Sequence, residues 1–165
     1  KEIDLLLNYD EFLTVDISTI NNFYKNTNQP DNFSNFLVNI KDNIIKNIDD
    51  YNLTHMTIEK FIVDGKECFS IPNDNDYNNV FLQIRLLCLK NNILQSLKNI
   101  FSKYEILIKN ISCYNYVYNF KNLEADNIFV IADKLRSGLN QKEIFFVDKP
   151  SKNNGFFEKF FNLFN

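Results

Sequence analysis

The sequence predicts an α/β (mixed α+β) domain in which one mixed sheet carries helices packed on it. At 165 residues, with 45% hydrophobic and 15% aromatic content, the chain is long enough to bury the core of one domain. Short β-rich runs also alternate along the chain with amphipathic helical patterns. We therefore expect one domain over residues 1–150, followed by a separate tail over residues 151–165.

The first half of the chain predicts a strand, a helix and a hairpin. Residues 11–18, EFLTVDIS, alternate apolar and polar positions as a strand does. A helix over 32–48 is predicted from an N-cap at Asp31 or Asn32 and from apolar positions at three- and four-residue spacing. Its face consists of Phe33, Phe36, Leu37, Ile40, Ile44, Ile45 and Ile48. Two β-rich runs within 56–72 meet at Asp64-Gly65, a dipeptide suited to a tight antiparallel hairpin.

The second half predicts further strands around one clear helix. Residues 80–89, VFLQIRLLCL, are nearly all apolar and predict a central strand covered on both faces. A helix over 91–103 then leads into a strand over 105–109, with a right-handed crossover if the two strands are parallel. Residues 113–120 predict one or two helical turns. Residues 127–132 and 143–147 predict two more strands, separated by a turn at Ser137-Gly138.

The charge of the chain bears on which partners it can bind, and its cysteines bear on the compartment in which it works. The net charge is −3 and the basic residues are dispersed, so the chain lacks the basic stripe that neutralises nucleic-acid phosphates. We therefore expect no nucleic-acid partner. Cys68, Cys88 and Cys113 show no C-x-x-C spacing and lie in apolar surroundings. This pattern is typical of reduced, buried cysteines in a cytoplasmic protein rather than of a disulfide framework.

Residues suited to catalysis are scarce. His55 is the sole histidine, which excludes sites with several histidine ligands and leaves a Cys-His pair with Cys113 or Cys68 as the alternative to an ordinary loop histidine. The carboxylates at 49–50 and 73–76 fit solvated loops. None of the three glycines begins a phosphate-binding loop. We expect no catalytic residues, no metal and no cofactor.

The last eleven residues, GFFEKFFNLFN, form an amphipathic pattern. Wound as a helix, they place one broad apolar stripe opposite their polar residues, and the stripe consists of Phe156, Phe157, Phe160, Phe161, Leu163 and Phe164. The stretch is shorter than the roughly 20 apolar residues that cross a bilayer. It is therefore either a last helix on the core or a membrane-proximal segment. The chain begins at Lys1 and shows no apolar run of span length, so we expect a fragment separated from its membrane span.

Two segments resemble the phosphate-loop strands of actin-like proteins. They are EFLTVDIST, with Asp16-Ile17-Ser18-Thr19 at the expected turn, and NIFVIADKLRSG, with Asp133-Lys134 at the second turn. Residues 70–112, from SIPNDNDYNN to EILIKNIS, also resemble the strand, helix and strand of the branch that serves cell division and pilus assembly. The resemblance implies a reduced actin-like, ribonuclease-H-like architecture over about residues 11–147. Ser18 and Lys134 replace glycines that such loops need, so nucleotide binding is not expected.

Within that superfamily the chain is most similar to the cytoplasmic domain of the bitopic inner-membrane assembly protein of type IV pili and type II secretion systems, in particular the bundle-forming-pilus component. The resemblance implies a non-enzymatic scaffold at the cytoplasmic face of the bacterial inner membrane. Its implied partners are the secretion or pilus ATPase and a polytopic membrane core protein, with the tail or a following transmembrane helix at the membrane.

Three alternatives remain open at this point. A peripheral, division-type actin-like protein would use the tail as a reversible anchor, whereas a small Cys-dependent enzyme would place His55 beside a cysteine. A structural interaction domain of another system is the third. The sequence does not distinguish a monomer from a homodimer.

Overall fold

A computed structural model of the chain describes residues 1–22, 33–69, 78–121 and 127–145. These residues form strands and helices in the order β1 (Glu2–Leu7), β2 (Leu13–Asn22), α1 (Phe33–Asn47), β3 (Tyr51–Val63), β4 (Lys66–Glu67), β5 (Asn79–Lys90), α2 (Asn91–Ser102), β6 (Leu107–Cys113), α3 (Tyr114–Tyr118) and α4 (Ile128–Arg136). The predicted mixed α and β class is confirmed. The strands, however, form two sheets rather than one.

The larger sheet is antiparallel and has the strand order β2-β5-β3-β4. Strand β5 lies between β2 and β3, so the central strand predicted over 80–89 is confirmed. Strands β2 and β5 pair without interruption from Leu13 opposite Cys88 to Asn22 opposite Asn79. Between β3 and β5 the register shifts twice, at Leu53/His55 and at Ile58/Lys60.

Helix α1 covers one face of this sheet. The helix begins at Phe33 and ends at Asn47, close to the predicted bounds, and its predicted N-cap lies outside the described residues. Phe33, Leu37 and Ile40 are buried against the sheet, which confirms the predicted helix face. Together with the alternate apolar side chains of the strands they form the main core, which contains Met56, Ile58, Phe61, Val63, Val80, Leu82, Ile84, Leu86, Cys88 and Ile144.

The opposite face of this sheet is more polar than predicted. On β5, Phe81, Gln83 and Leu87 of this face are half-buried, whereas Asn79 and Arg85 are exposed. The prediction that both faces are covered therefore holds for the α1 face and only partly for this one. We call this the second face of the sheet.

The hairpin predicted at Asp64-Gly65 is confirmed. Both residues have positive φ, 46° for Asp64 and 81° for Gly65, which is the geometry that a tight two-residue turn between antiparallel strands requires. The Asp64 carboxylate also accepts hydrogen bonds from the main-chain N–H groups of Asn78 and Asn79. The turn is therefore held against the start of β5.

A second, two-stranded sheet pairs β1 with β6 in parallel. The sequence patterns did not predict β1, and β6 extends further than the predicted strand over 105–109. Helix α2 connects β5 to β6 as expected, but these two strands lie in different sheets. The crossover geometry expected for a parallel pair in one sheet therefore does not apply.

The strand predicted over 127–132 is wrong, because these residues begin helix α4. Asn127 caps the helix by accepting a hydrogen bond from the N–H of Phe129 through its side chain. Ile131 and Leu135 are buried at helical spacing and pack with Val117 of α3. Burial of this stripe outweighs the β propensity of the run Ile128–Ile131. The turn at Ser137-Gly138 is confirmed at the end of α4.

Residues 142–144 run along the outer edge of β3. The N–H of Ile58 donates to the carbonyl of Lys142, and the N–H of Ile144 donates to the carbonyl of Met56, both at 2.8 Å. Of the strand predicted over 143–147, the structure shows a single antiparallel bridge, between Thr57 and Glu143. Residues 146 and 147 lie outside the described residues.

Candidate functional site

The most distinctive group of side chains surrounds His55. This residue lies on β3 at the first register shift and is 7% exposed, so the expectation of an ordinary loop histidine is wrong. Its Nε2 atom accepts a hydrogen bond from the main-chain N–H of Cys113 at 3.0 Å. A main-chain N–H can only donate, so Nε2 carries no proton and the ring proton lies on Nδ1. Nδ1 then donates to Oε1 of Glu143 at 2.7 Å.

Glu143 is the centre of the group. Its second oxygen, Oε2, accepts a hydrogen bond from the Tyr116 hydroxyl at 2.6 Å. The Tyr116 oxygen in turn accepts a hydrogen bond from Nδ2 of Asn140 at 2.8 Å. Burial, together with the neighbouring Glu143 carboxylate, raises the pKa of Tyr116 well above its ordinary value, so the phenol stays protonated and donates. We call His55, Tyr116, Asn140 and Glu143 the polar cluster.

The polar cluster lies where the two hydrophobic cores meet. Tyr116 packs beside the small core of α3 and α4, which consists of Val117, Ile131, Ala132 and Leu135. The His55 and Tyr116 rings lie with centroids 4.3 Å apart. On the other side Glu143 directly precedes Ile144, which belongs to the main core. The hydrogen bonds therefore connect β3, α3 and the segment after α4.

The arrangement has little capacity for acid–base or nucleophilic chemistry. Both ring nitrogens of His55 are engaged, and the lone pair that a general base would use is held by a main-chain N–H. Cys113 does lie next to His55, as the Cys-His alternative required, but the hydrogen bond runs through its main chain. Among the described residues no buried side-chain nitrogen or oxygen lacks a hydrogen-bond partner. The polar cluster thus satisfies its own polar groups.

Two cavities flank the polar cluster, and His55 lines both of them. The larger, about 510 Å³, lies on the second face of the sheet and is lined by two acidic residues, Asp10 and Glu59, and two basic residues, Arg85 and Lys142. The smaller, about 300 Å³, is bordered by α2, β6 and the end of α4. Within the part of the chain that the structure describes, no cluster of His, Cys, Asp or Glu side chains could hold a metal ion.

A second feature is the outer edge of β2. Among the described residues no strand pairs with this edge, although β2 is ten residues long. Its one charged residue, Asp16, accepts a hydrogen bond from Nε of Arg85 on β5 at 2.8 Å. That bond and the nearby Glu59 raise the pKa of Arg85 above its ordinary value, so the guanidinium stays charged.

The residues proposed for phosphate-loop turns are not in turns. Residues 16–19 lie in the middle of β2, and Asp133 and Lys134 lie inside α4. The positions that carried the actin-like resemblance therefore have extended or helical backbone, and this part of the interpretation is wrong. Asp49 and Asp50 are exposed in a turn after α1, as expected for solvated carboxylates. Residues 73–76 lie outside the described residues.

The tail residues also lie outside the described residues, and these are Phe156, Phe157, Phe160, Phe161, Leu163 and Phe164. Their membrane-proximal position therefore stays a prediction. Of the polar cluster, the sequence patterns singled out His55 alone. Tyr116, Asn140 and Glu143 had no recognisable spacing to His55, since Glu143 follows it by 88 residues.

Comparison with protein-family models gives no match, and comparison with curated proteins gives no significant similarity. None of the helices in the described ranges has the length and apolar content needed to cross a membrane.

Proposed function

We propose that this chain is a non-catalytic protein-docking domain and that the outer edge of β2 is its docking strand. The observation that carries the proposal is the length and regularity of this edge. The edge of a sheet presents a row of N–H and C=O groups that can pair with an added strand. Strand β2 presents such a row over ten residues, and its pairing with β5 contains no bulge.

The two edges of the large sheet differ in a way that supports this assignment. Native edge strands are usually protected by shortness, by lysine or proline, or by bulges. The opposite edge strand, β4, has two residues, and both are charged. Residues 142–144 cover the remaining outer edge of β3 at Ile58. Strand β2 contains neither lysine nor proline, and Asp16 already pairs with Arg85.

The side chains of β2 indicate what kind of segment would pair with it. Burial alternates along the whole strand, with Val15 and Ile17 half-buried on the α1 side. On the second face the exposed positions include Ile20, which is 68% exposed. An extended segment with alternating apolar and polar residues would therefore continue both faces of the sheet.

The setting that we propose is the one implied by the resemblance. The domain would act as a scaffold at the cytoplasmic face of a bacterial inner membrane, in a type IV pilus or type II secretion machine. It would dock the assembly ATPase and a polytopic membrane core protein. The closed hydrogen bonding of the polar cluster supports a structural role, and the apolar residues of 155–165 support a membrane-proximal position.

Binding measurements with these two partner classes, taken from the source organism, test the proposal. Replacing Ile20 by Lys places a charge on the docking edge, as natural edge strands do, and should weaken binding by about tenfold or more. Ile100 on α2 is also exposed, at 52%, so Ile100→Lys is a control with the same change in charge and size. Equal binding by both variants would contradict the docking role of β2.

The membrane setting has its own test. The reading frame beyond Asn165 should encode an apolar stretch of about 20 residues, the length of a transmembrane helix. In addition, a chain truncated after Lys152 should remain folded, with a melting temperature that changes little. Aggregation or loss of cooperative unfolding on truncation would place the tail in the core and argue against the membrane-proximal position.

A further inference from the structure

We propose that the larger of the two cavities beside the polar cluster binds a small aromatic zwitterion, of which a free aromatic amino acid is the simplest. Its volume of about 510 Å³ lies within the range of about 300–1,000 Å³ that small-molecule sites occupy. The walls supply two aromatic pairs and one unpaired charge of each sign. The inference goes beyond the docking function, because Thr14 is the one residue of β2, a strand described in full, that lines this cavity.

Two aromatic pairs line the cavity from different parts of the fold. Tyr9 and Phe12 lie in the connection between β1 and β2, with ring centroids 6.3 Å apart and an interplanar angle of 68°. Tyr116 lies in α3 and Phe120 follows that helix, with centroids 5.5 Å apart and an angle of 69°. All four residues are half-buried, so each keeps some surface for a ligand. A flat ring in the cavity can contact these rings in the edge-to-face or offset geometry that aromatic groups prefer.

The charges of the cavity are balanced, and half of them are already paired. Arg85 is held by Asp16 at 2.8 Å and lies 3.8 Å from Glu59. Among the described residues, neither Asp10 nor Lys142 forms an ion pair or a side-chain hydrogen bond. The cavity therefore offers a ligand one carboxylate and one ammonium group. A zwitterion satisfies both, whereas a phosphate ester would need an excess of basic side chains that this balanced cavity does not supply.

Lys142 is held at the cavity by its main chain. Its N–H donates to Oδ1 of Asn140 at 3.0 Å, and its carbonyl accepts from the N–H of Ile58 at 2.8 Å. Asn140 belongs to the polar cluster through its bond to the Tyr116 hydroxyl. The polar cluster therefore supports the wall from which the Lys142 side chain extends, and it does so without taking part in acid–base chemistry.

Two carboxamides complete the lining. Asn115 and Asn119 lie one helical turn apart, since the N–H of Asn119 donates to the carbonyl of Asn115 at 3.3 Å. Both residues are exposed, and neither makes a side-chain hydrogen bond within the described part of the chain. A carboxamide offers a donor and an acceptor, so it can bind either the ammonium or the carboxylate group of a zwitterion. A purely apolar ligand would displace water from these groups without replacing its hydrogen bonds, which lowers affinity.

Indole fluorescence tests the inference directly, because the chain contains no tryptophan. Adding the full chain to free tryptophan should shift and polarise the indole emission, with a dissociation constant between about 1 µM and 1 mM for a ligand of this size. Phenylalanine and tyrosine should compete with tryptophan. Alanine, which carries the same two charges without the ring, should not compete.

Analogues with one charge identify which wall binds which group. Phenethylamine lacks the carboxylate and 3-phenylpropionate lacks the ammonium group, so each should compete at least about fivefold more weakly than phenylalanine. Asp10→Asn should weaken the binding of phenylalanine and phenethylamine about fivefold or more and leave 3-phenylpropionate nearly unchanged. Lys142→Gln should weaken phenylalanine and 3-phenylpropionate by a similar factor and leave phenethylamine nearly unchanged.

Exposed residues outside the cavity provide the matched controls. Asp42→Asn on α1 and Lys103→Gln after α2 make the same changes in charge and should leave the binding of all three compounds unchanged. Asp10 and Lys142 are themselves exposed, so their variants should fold, which the thermal midpoint checks.

Three outcomes would overturn the inference. They are the absence of tryptophan binding at millimolar concentration, competition by alanine equal to that by phenylalanine, and unchanged phenylalanine binding in either cavity variant. Tighter binding of adenosine than of phenylalanine would also overturn it, because adenosine has the flat ring without the two charges. The docking function is measured separately, through the effect of Ile20→Lys on the binding of protein partners.

Discussion

Oε1 of Glu143 lies 2.7 Å from Nδ1 of His55, although 88 residues separate the two in the chain. The bond is buried, with side-chain exposures of 8% for His55 and 3% for Glu143. A buried hydrogen bond of this kind fixes the relative positions of the elements that carry it, because leaving either partner unpaired is costly. It therefore fixes the segment after α4 against β3.

Replacing Glu143 by Gln should lower the free energy of unfolding by roughly 1–3 kcal/mol. The carboxylate accepts hydrogen bonds from both His55 and Tyr116, whereas a glutamine amide offers one acceptor oxygen and directs its NH₂ group at a second donor. Urea denaturation measures the loss. Glu67→Gln is the matched control, because Glu67 is exposed, and its effect should stay within about 0.5 kcal/mol. Equal midpoints for the two variants would show that the polar cluster is not a structural connection.

Alkaline pH should destabilise the fold. Burial raises the pKa of the Cys88 thiol from 9.0 to about 11, and burial also raises the pKa of Tyr116 above 10.0. The folded state therefore favours both protonated groups, so their contributions are complete below pH 9 and are lost as the pH rises above that value. Urea midpoints should change little between pH 7 and 9 and should fall at pH 10 and again at pH 11.

A variant at Cys88 separates the two contributions to this pH dependence. Cys88→Ala lowers stability at every pH through the cavity that it leaves, but it should reduce the decline between pH 9 and 11. A decline of unchanged steepness would contradict the role assigned to the Cys88 thiol.

Replacing Ile40 by Asp should cost about 3 kcal/mol or more, enough to unfold a marginally stable domain. Ile40 lies at the interface between α1 and the sheet, so a carboxylate there would be buried among the apolar side chains of the main core. Asn43→Asp adds the same carboxylate on the exposed side of α1 and is the control. An Ile40→Asp protein with an unchanged thermal midpoint would mean that the helix face is misplaced.

Thiol labelling of the native chain should modify Cys68 first. Cys68 is half-buried, whereas Cys88 and Cys113 are buried and should react only when the chain unfolds. His55 cannot activate the Cys113 thiol through Nε2, because that nitrogen already accepts the main-chain N–H. Mass spectrometry identifies the modified residue, and Cys68→Ser serves as the control. Rapid modification of Cys113 would instead favour the Cys-dependent enzyme.

Local sequence patterns were sufficient to predict the strands and helices in which buried residues recur at a regular spacing. Strand β2 alternates exposed and half-buried residues throughout, and α1 repeats its apolar face, so both could be predicted. The turn at Asp64-Gly65 could be predicted because few residues other than Gly and Asn or Asp adopt positive φ. Helix α4 could not be predicted, because Ile128, Val130 and Ile131 are residue types that favour strands. Only the packing of α4 against α3 decides for the helix.

The candidate site was less predictable for a different reason. Cys113 lies 58 residues from His55 and Glu143 lies 88 residues away, so no local spacing relates them. The number of sheets was also inaccessible, because strand pairing depends on contacts between distant segments rather than on the pattern of any one strand.

The parallel pairing of β1 with β6 has a consequence for the order of folding. The N–H of Leu107 donates to the carbonyl of Lys1 at 2.8 Å, and the pairing continues to Leu7 opposite Cys113, with one register shift between Ile3 and Asp4. Strand β1 is synthesised well before β6, so it leaves the ribosome long before its partner exists. Closing so large a loop carries a high entropic cost until the intervening antiparallel sheet has formed. We therefore expect β1 to acquire protection from hydrogen exchange in the last stage of folding.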